Sequence, residues 1–130
     1  MQSFTVRSSR REQMIDITDK VAAAIEPGAS GVCQVFVPHT TAGVTINENA
    51  DPSVVRDMLV TMSRLVPQDP GYTHAEGNSD AHVKASLFGS SVLVPVDGGR
   101  PVLGTWQAVY FCEFDGPRSR TVHVQMAATA

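Results

Sequence analysis

Trp106-Gln107-Ala108-Val109-Tyr110-Phe111-Cys112-Glu113-Phe114-Asp115-Gly116-Pro117-Arg118-Ser119-Arg120-Thr121-Val122-His123-Val124-Gln125-Met126 is the stretch that decides the fold class. Trp106, Ala108, Tyr110, Cys112 and Phe114 alternate with Gln107, Val109, Phe111 and Glu113, the period of two that a pleated strand imposes on its side chains. Asp115-Gly116-Pro117 has turn chemistry, and beyond it Val122, Val124 and Met126 alternate with Thr121, His123 and Gln125. Upstream, Val92, Val94 and Val96 share one face of a strand that turns at Asp97-Gly98-Gly99-Arg100, so the C-terminal third reads as a β-meander. Trp106, the lone tryptophan, reads as core, with Gly104 beside it permitting a bulge.

Further back, Phe4 and Val6 alternate with Thr5, Arg7 and Ser9, and Met14, Ile15 and Ile17 form a second short strand. Thr18 is positioned as a cap for a helix carrying Val21, Ala22, Ala24 and Ile25 on one face, stopped by Pro27-Gly28. Gly31 to Val37 reads as a mostly buried strand ended by Pro38. Asp51-Pro52 joins a capping acceptor to a proline suited to the first helical turn, and Val54, Val55, Met58, Leu59, Met62 and Leu65 follow at helical spacing. A long loop, Val66 to Asn78, leads to a short helix through Ala81–Phe88 with Asp80 as its cap. The expected fold class is therefore α+β: β-sandwich-like antiparallel sheets with two or three helices from the N-terminal half and middle, in a single domain spanning residues 1–130.

At 130 residues, with 42% hydrophobic and 18% charged side chains, the chain has enough apolar material for one core and too little for two domains. A net charge of −3 argues against a nucleic-acid partner or an anionic membrane surface. The acidity is local: between 39 and 82 lie Glu48, Asp51, Asp57, Asp69, Glu76 and Asp80 against only Arg56 and Arg64, together with three of the four histidines. Cys33 and Cys112 sit in apolar runs and read as buried thiols of a reducing, cytoplasmic compartment. The charged opening does not read as a signal peptide, and no segment approaches a membrane span.

His74-Ala75-Glu76-Gly77-Asn78-Ser79-Asp80-Ala81-His82 places a potential ligand or hydrogen-bonding group at every second position. An extended chain would project these on one face; a helix beginning near Asp80 would instead need the loop to fold His74 back toward His82. In both cases the imidazoles can converge, and His39, at the end of a buried strand, adds a third. Three imidazoles with nearby carboxylates suit a divalent cation such as Zn, with Mn, Fe or Mg as alternatives. Polar loops also contain His and acids for no reason beyond solvation, and His123 falls on the polar side of its strand. Glu48 follows an alternating Val44-Thr45-Ile46 piece as a potential general base or carboxylate partner near His39. Lys84, Arg118 and Arg120 could form a local anion site, although each alone reads as a solvated charge.

His39-Thr40-Thr41-Ala42-Gly43-Val44 with Asn47-Glu48, then His74 to Lys84, then Gly104-Thr105-Trp106-Gln107 and Asp115-Gly116-Pro117-Arg118 resemble the signature blocks of the YjbQ family, also called the secondary thiamine-phosphate synthase family. The resemblance covers nearly the whole chain. It implies an α+β fold with a β-sandwich, a homotrimer, and a metal held by His39, His74 and His82. It also implies a transferase activity joining a pyrimidine methyl diphosphate to a thiazole phosphate with loss of pyrophosphate. On this resemblance Glu48 and Asp80 stand as catalytic carboxylates, with Asn47, Asn78, Lys84 and Arg118 as contacts to a small anionic or phosphorylated metabolite. Pyrophosphate departure ordinarily uses Mg²⁺ with oxygen ligands, whereas three imidazoles favour a transition metal. A non-catalytic trimeric binding protein and a metal-assisted hydrolase using Glu48 as base are the competing expectations.

Overall fold

The computed structural model describes residues 1–129. Its strands are β1 (Gln2–Arg7), β2 (Gln13–Asp16), β3 (Gly31–Phe36), β4 (Ala42–Glu48), β5 (Ser91–Asp97), β6 (Arg100–Pro101), β7 (Gln107–Glu113) and β8 (Ser119–Ala128). The helices are α1 (Thr18–Ala23), α2 (Pro52–Leu65) and α3 (Ser79–Phe88). The strands form two sheets, β1-β8-β3-β5-β6 and β2-β7-β4, in which the neighbours pair antiparallel. The α+β class with antiparallel sheets and helices is thus the one expected from the alternation pattern.

Strand β7 shows why the layers stack as they do. It is the centre of its sheet, so both faces need cover. Val109 and Phe111 enter one core with Val35, Val94, Val122 and Val124 of the larger sheet and Val21 of α1. Ala108, Tyr110 and Cys112 enter a second core with Ala81 and Ala85 of α3, against which Val55, Met58 and Leu59 of α2 pack. The result is sheet, sheet, helices. The unbroken buried run from Ala108 to Glu113 follows from that double cover, whereas a strand with one wet face would alternate.

Local chemistry explains most element ends, with three departures. Asp51 caps α2 as expected, its carboxylate accepting from Ser53 N–H at 2.9 Å with Pro52 in the first turn. Thr18 does not cap α1: the N-cap is Ile17, and the Thr18 hydroxyl bonds Asp16 and accepts from Val109 N–H instead, tying α1 to β7. Asp80 does not cap α3; the N-cap is Asn78, and Asp80 lies buried in the first turn. Trp106 is not core. It lies within the tight Gly104–Gln107 turn and is 62% exposed, because β7 begins only at Gln107.

Candidate functional site

Two chain crossings meet at one end of the sandwich. Pro38-His39-Thr40-Thr41 carries the chain from β3 in the larger sheet to β4 in the smaller, and Asp115-Gly116-Pro117-Arg118 carries it back from β7 to β8. Together with the loop before α3 they enclose a cleft of about 690 Å³ whose lining includes His39, His74, His82, Asn78, Arg118 and Arg120. Residues far apart in the chain are therefore neighbours here because the two crossings share one end.

The loop folds back as the helical alternative requires. His74 and His82 meet edge to face with ring centroids 5.6 Å apart, since α3 begins at Ser79 and turns His82 toward the loop. Glu76 stands 3.9 Å from His74 Nε2, and both side chains are substantially exposed. Asn78 is buried; its Nδ2 donates to Asp115 Oδ2 at 2.8 Å and, more weakly, to Glu76 at 3.4 Å. That fixes the amide, so the N–H₂ face is engaged by carboxylates.

His39 is held differently. Its Nε2 accepts the Thr121 backbone N–H at 2.9 Å, so the neutral ring carries its proton on Nδ1. Burial, helped by the nearby Arg120 charge, keeps His39 below the usual imidazole pKa and hence neutral. To coordinate a cation His39 would have to release one nitrogen from this arrangement. His74 and His82 are not so engaged. Among the described residues no three His, Cys, Asp or Glu side chains gather as a ligand set.

Beneath the cleft lies a charged rung in an otherwise apolar sandwich. Glu113 projects from β7 on the same face as Val109 and Phe111, and Arg120 projects from β8 on the face of Val122 and Val124. Both are buried, and they meet through Nε to Oε1 at 2.9 Å and Nη2 to Oε2. Ser8 donates its hydroxyl to Glu113 at 2.7 Å, the Asp115 N–H donates at 3.0 Å, and Arg120 Nη2 reaches Thr41 Oγ1 at 2.8 Å. Burial pushes the Glu113 carboxyl upward, but the donors from Arg120, Ser8 and Asp115 outweigh it and hold it below the ordinary glutamate value.

Four of the residues expected at the site lie elsewhere. Asn47 and Glu48 end β4, which starts three residues after His39 and carries the chain roughly 20 Å away as an extended strand. Nearness in sequence is undone by that extension. Asp80 and Lys84 are sealed under α3: Asp80 takes a two-pronged pair from Arg11 at 2.9 and 3.0 Å, and Lys84 Nζ bonds Asp80 at 2.9 Å and Glu12 at 3.0 Å. Desolvation raises Asp80, yet Arg11 and Lys84 more than offset it and keep it ionised. This network pins α3, which carries His82, to the segment before β2. Arg118 does line the cleft, but it is about half exposed and spends Nε and Nη2 on Asp115.

Residues 2–129 match the family model described as UPF0047 protein YjbQ-like. UPF0047 protein YugU of Bacillus subtilis is 46% identical over 129 residues, covering 97% of this chain and 98% of that protein. UPF0047 protein MJ1081 of Methanocaldococcus jannaschii is 47% identical over 125 residues, 95% of this chain and 91% of its own. Among solved structures, an uncharacterized conserved protein of the yjbq/upf0047 family from Clostridium acetobutylicum superposes with a TM-score of 0.92 at 50% identity, covering 96% of this chain and 98% of that one. A conserved hypothetical protein of Thermus thermophilus gives 0.93 at 43% identity, covering 98% and 100%. Sequence match and superposition both run almost from end to end, through both chain crossings and the loop before α3, and on that footing the chain belongs to the YjbQ/UPF0047 family.

Proposed function

We propose that the histidine-lined cleft is the active site of an enzyme acting on a small phosphorylated or otherwise anionic metabolite. Transferase chemistry of the thiamine-phosphate synthase kind is the reaction to be tested first. The observation that carries this reading is the convergence of His39, His74 and His82, from separate segments, on one cleft that also holds two arginines. His74 and His82 are placed to exchange protons with a leaving or attacking oxygen, a role worth about 10²–10⁴ in rate. Arg118 at the rim offers its remaining N–H groups to an incoming anion. A divalent cation, zinc first and Mg, Mn or Fe as alternatives, would be held by His74 and His82 and would supply Lewis-acid polarisation of a phosphoryl oxygen. Asp80 and Lys84 serve the site by fixing α3 rather than by touching substrate. Glu48 takes no part in the cleft of its own chain.

The setting proposed is a homotrimer in the cytoplasm, without nucleic-acid or membrane partners. Buried free Cys33 and Cys112 suit a reducing compartment. No helix among the described residues is long and apolar enough to cross a membrane. Exposed Leu65, Leu87, Leu93 and Trp106 supply apolar surface for self-association.

The test is the double variant His74→Ala/His82→Ala, assayed for bound metal and for thiamine phosphate formed from the two phosphorylated precursors. Loss of metal and a fall in turnover of about a hundredfold or more, with an unchanged melting temperature, is expected. Unchanged turnover refutes the reading. If chelation lowers the melting temperature of the wild type and no turnover is found, a non-catalytic metal-binding role takes its place.

A further inference from the structure

We infer that Arg120 and His39 form an oxyanion subsite on the floor of the cleft, each donating N–H groups to a terminal oxygen of a phosphate or carboxylate. This rests on the reading of the cleft as a metabolite site and assigns the seat of the anion within it.

Arg120 is 4% exposed and is gripped along one edge of its guanidinium. Nε and Nη2 go to Glu113, and Nη2 also reaches Thr41. Nη1 has no acceptor among the described residues, and it is not among the sealed side-chain atoms left without a hydrogen bond. Because Arg120 lines the cleft, the open nitrogen is the part of the group left to face it. A guanidinium is planar, so fixing two of its nitrogens fixes the direction of the third.

His39 supplies the second donor by an independent route. With Nε2 accepting from Thr121 N–H, the neutral ring must carry Nδ1–H, and this group has no protein acceptor among the described residues. Thr121 follows Arg120 on β8, so one strand orients both donors. Glu113 cancels the formal charge of Arg120, and what remains is direction: N–H groups held in place before a ligand arrives, which lowers the ordering cost of binding. Arg118 lacks this preparation, since an anion there would compete with Asp115 for a half-exposed side chain.

The probes are inorganic phosphate and acetate, titrated into the full chain and followed by ¹⁵N-resolved NMR of the histidine rings and arginine side chains. In the free protein His39 should show the Nδ1–H tautomer. Phosphate, acetate or both should shift His39 Nδ1 and Arg120, and the tighter of the two identifies a phosphate or a carboxylate as the natural group. Arg120→Lys keeps a partner for Glu113 but cannot also present Nη1, so affinity should fall about tenfold or more. His39→Asn retains a donor near the Nδ1 position and should bind within about threefold of wild type, whereas His39→Leu should lose about tenfold. Should Arg120→Lys fail to fold, the His39 pair and the tautomer decide. An Nε2–H tautomer, or equal affinity in His39→Leu, overturns the subsite. Shifts at His74 and His82 with none at His39 and Arg120 overturn it while leaving the cleft a ligand site, and shifts nowhere overturn both.

Discussion

Replacing Glu113 by Gln tests the rung that closes the sandwich under the cleft. Glu113 is fully buried and receives four donors: the Ser8 hydroxyl, the Asp115 N–H, and Nε and Nη2 of Arg120. Glutamine keeps the shape but aims its NH₂ at groups that are themselves donors and leaves the Arg120 charge buried without a counter-ion. Breaking one side of a buried pair costs about 3–5 kcal/mol, a large part of the roughly 5–15 kcal/mol by which such a domain is stable. At roughly 4 °C per kcal/mol for a chain of this size, the melting temperature should fall by roughly 10–20 °C. Urea unfolding followed by circular dichroism measures the loss directly, and Glu113→Leu combined with Arg120→Met should recover much of it, since apolar side chains of similar volume replace such pairs at little cost. The acid limb gives an independent reading. The folded-state pKa of Glu113 is depressed, so its contribution is complete above the ordinary glutamate value and is lost as pH falls through the folded one. The gap between wild type and Glu113→Gln should thus be constant near neutrality and close on acidification. A loss below about 1 kcal/mol at neutral pH, or a gap that widens in acid, would refute the account.

Three further outcomes are expected. Asp80→Asn strips Arg11 and Lys84 of their shared partner and should cost about 3–5 kcal/mol by denaturant titration, with the His82 resonances moving because α3 loses its anchor; a loss confined to surface magnitudes counts against the network. Gly43→Ala places a methyl 2.7 Å from Gly89 O and 3.2 Å from Phe88 Cβ, so β4 and the end of α3 must part, at about 1–3 kcal/mol in thermal unfolding; an unchanged melting temperature excludes that close approach. Burial raises the pKa of both Cys33 and Cys112, so neither thiol should react with a disulfide reagent at neutral pH until denaturant is added; prompt labelling of the native protein would contradict their placement.

Strands were legible because their signal is local. The alternation from Gln107 to Glu113 and from Thr121 to Met126 needs only neighbours two apart, and Asp51-Pro52 marks a helix start by the same local logic. The meeting of His74 with His82 was legible as a possibility, since small residues between them permit a fold-back. What the pattern could not convey was partnership across the sandwich. Lys84 reads as a surface cation until Asp80 and Glu12 are seen to enclose it, and Arg11 reaches Asp80 from 69 positions away. Glu48 was placed near His39 by counting residues, a count that an extended strand converts into distance. The clue to Arg120 lay in Glu113, an acid in an otherwise apolar strand. Such a group demands a buried counter-ion, and the basic residue at the matching inward position after the turn supplies it.

Strand β8 devotes its inward positions first to charge, at Arg120, and then to Val122 and Val124. A recognition group built this way shares a backbone with buried core residues and has no hinge of its own. Selection on ligand preference and selection on packing therefore act on one rigid element. Small volume changes at Val122 would register first as altered discrimination among ligands and only later as unfolding, so drift in the interior is read at the mouth.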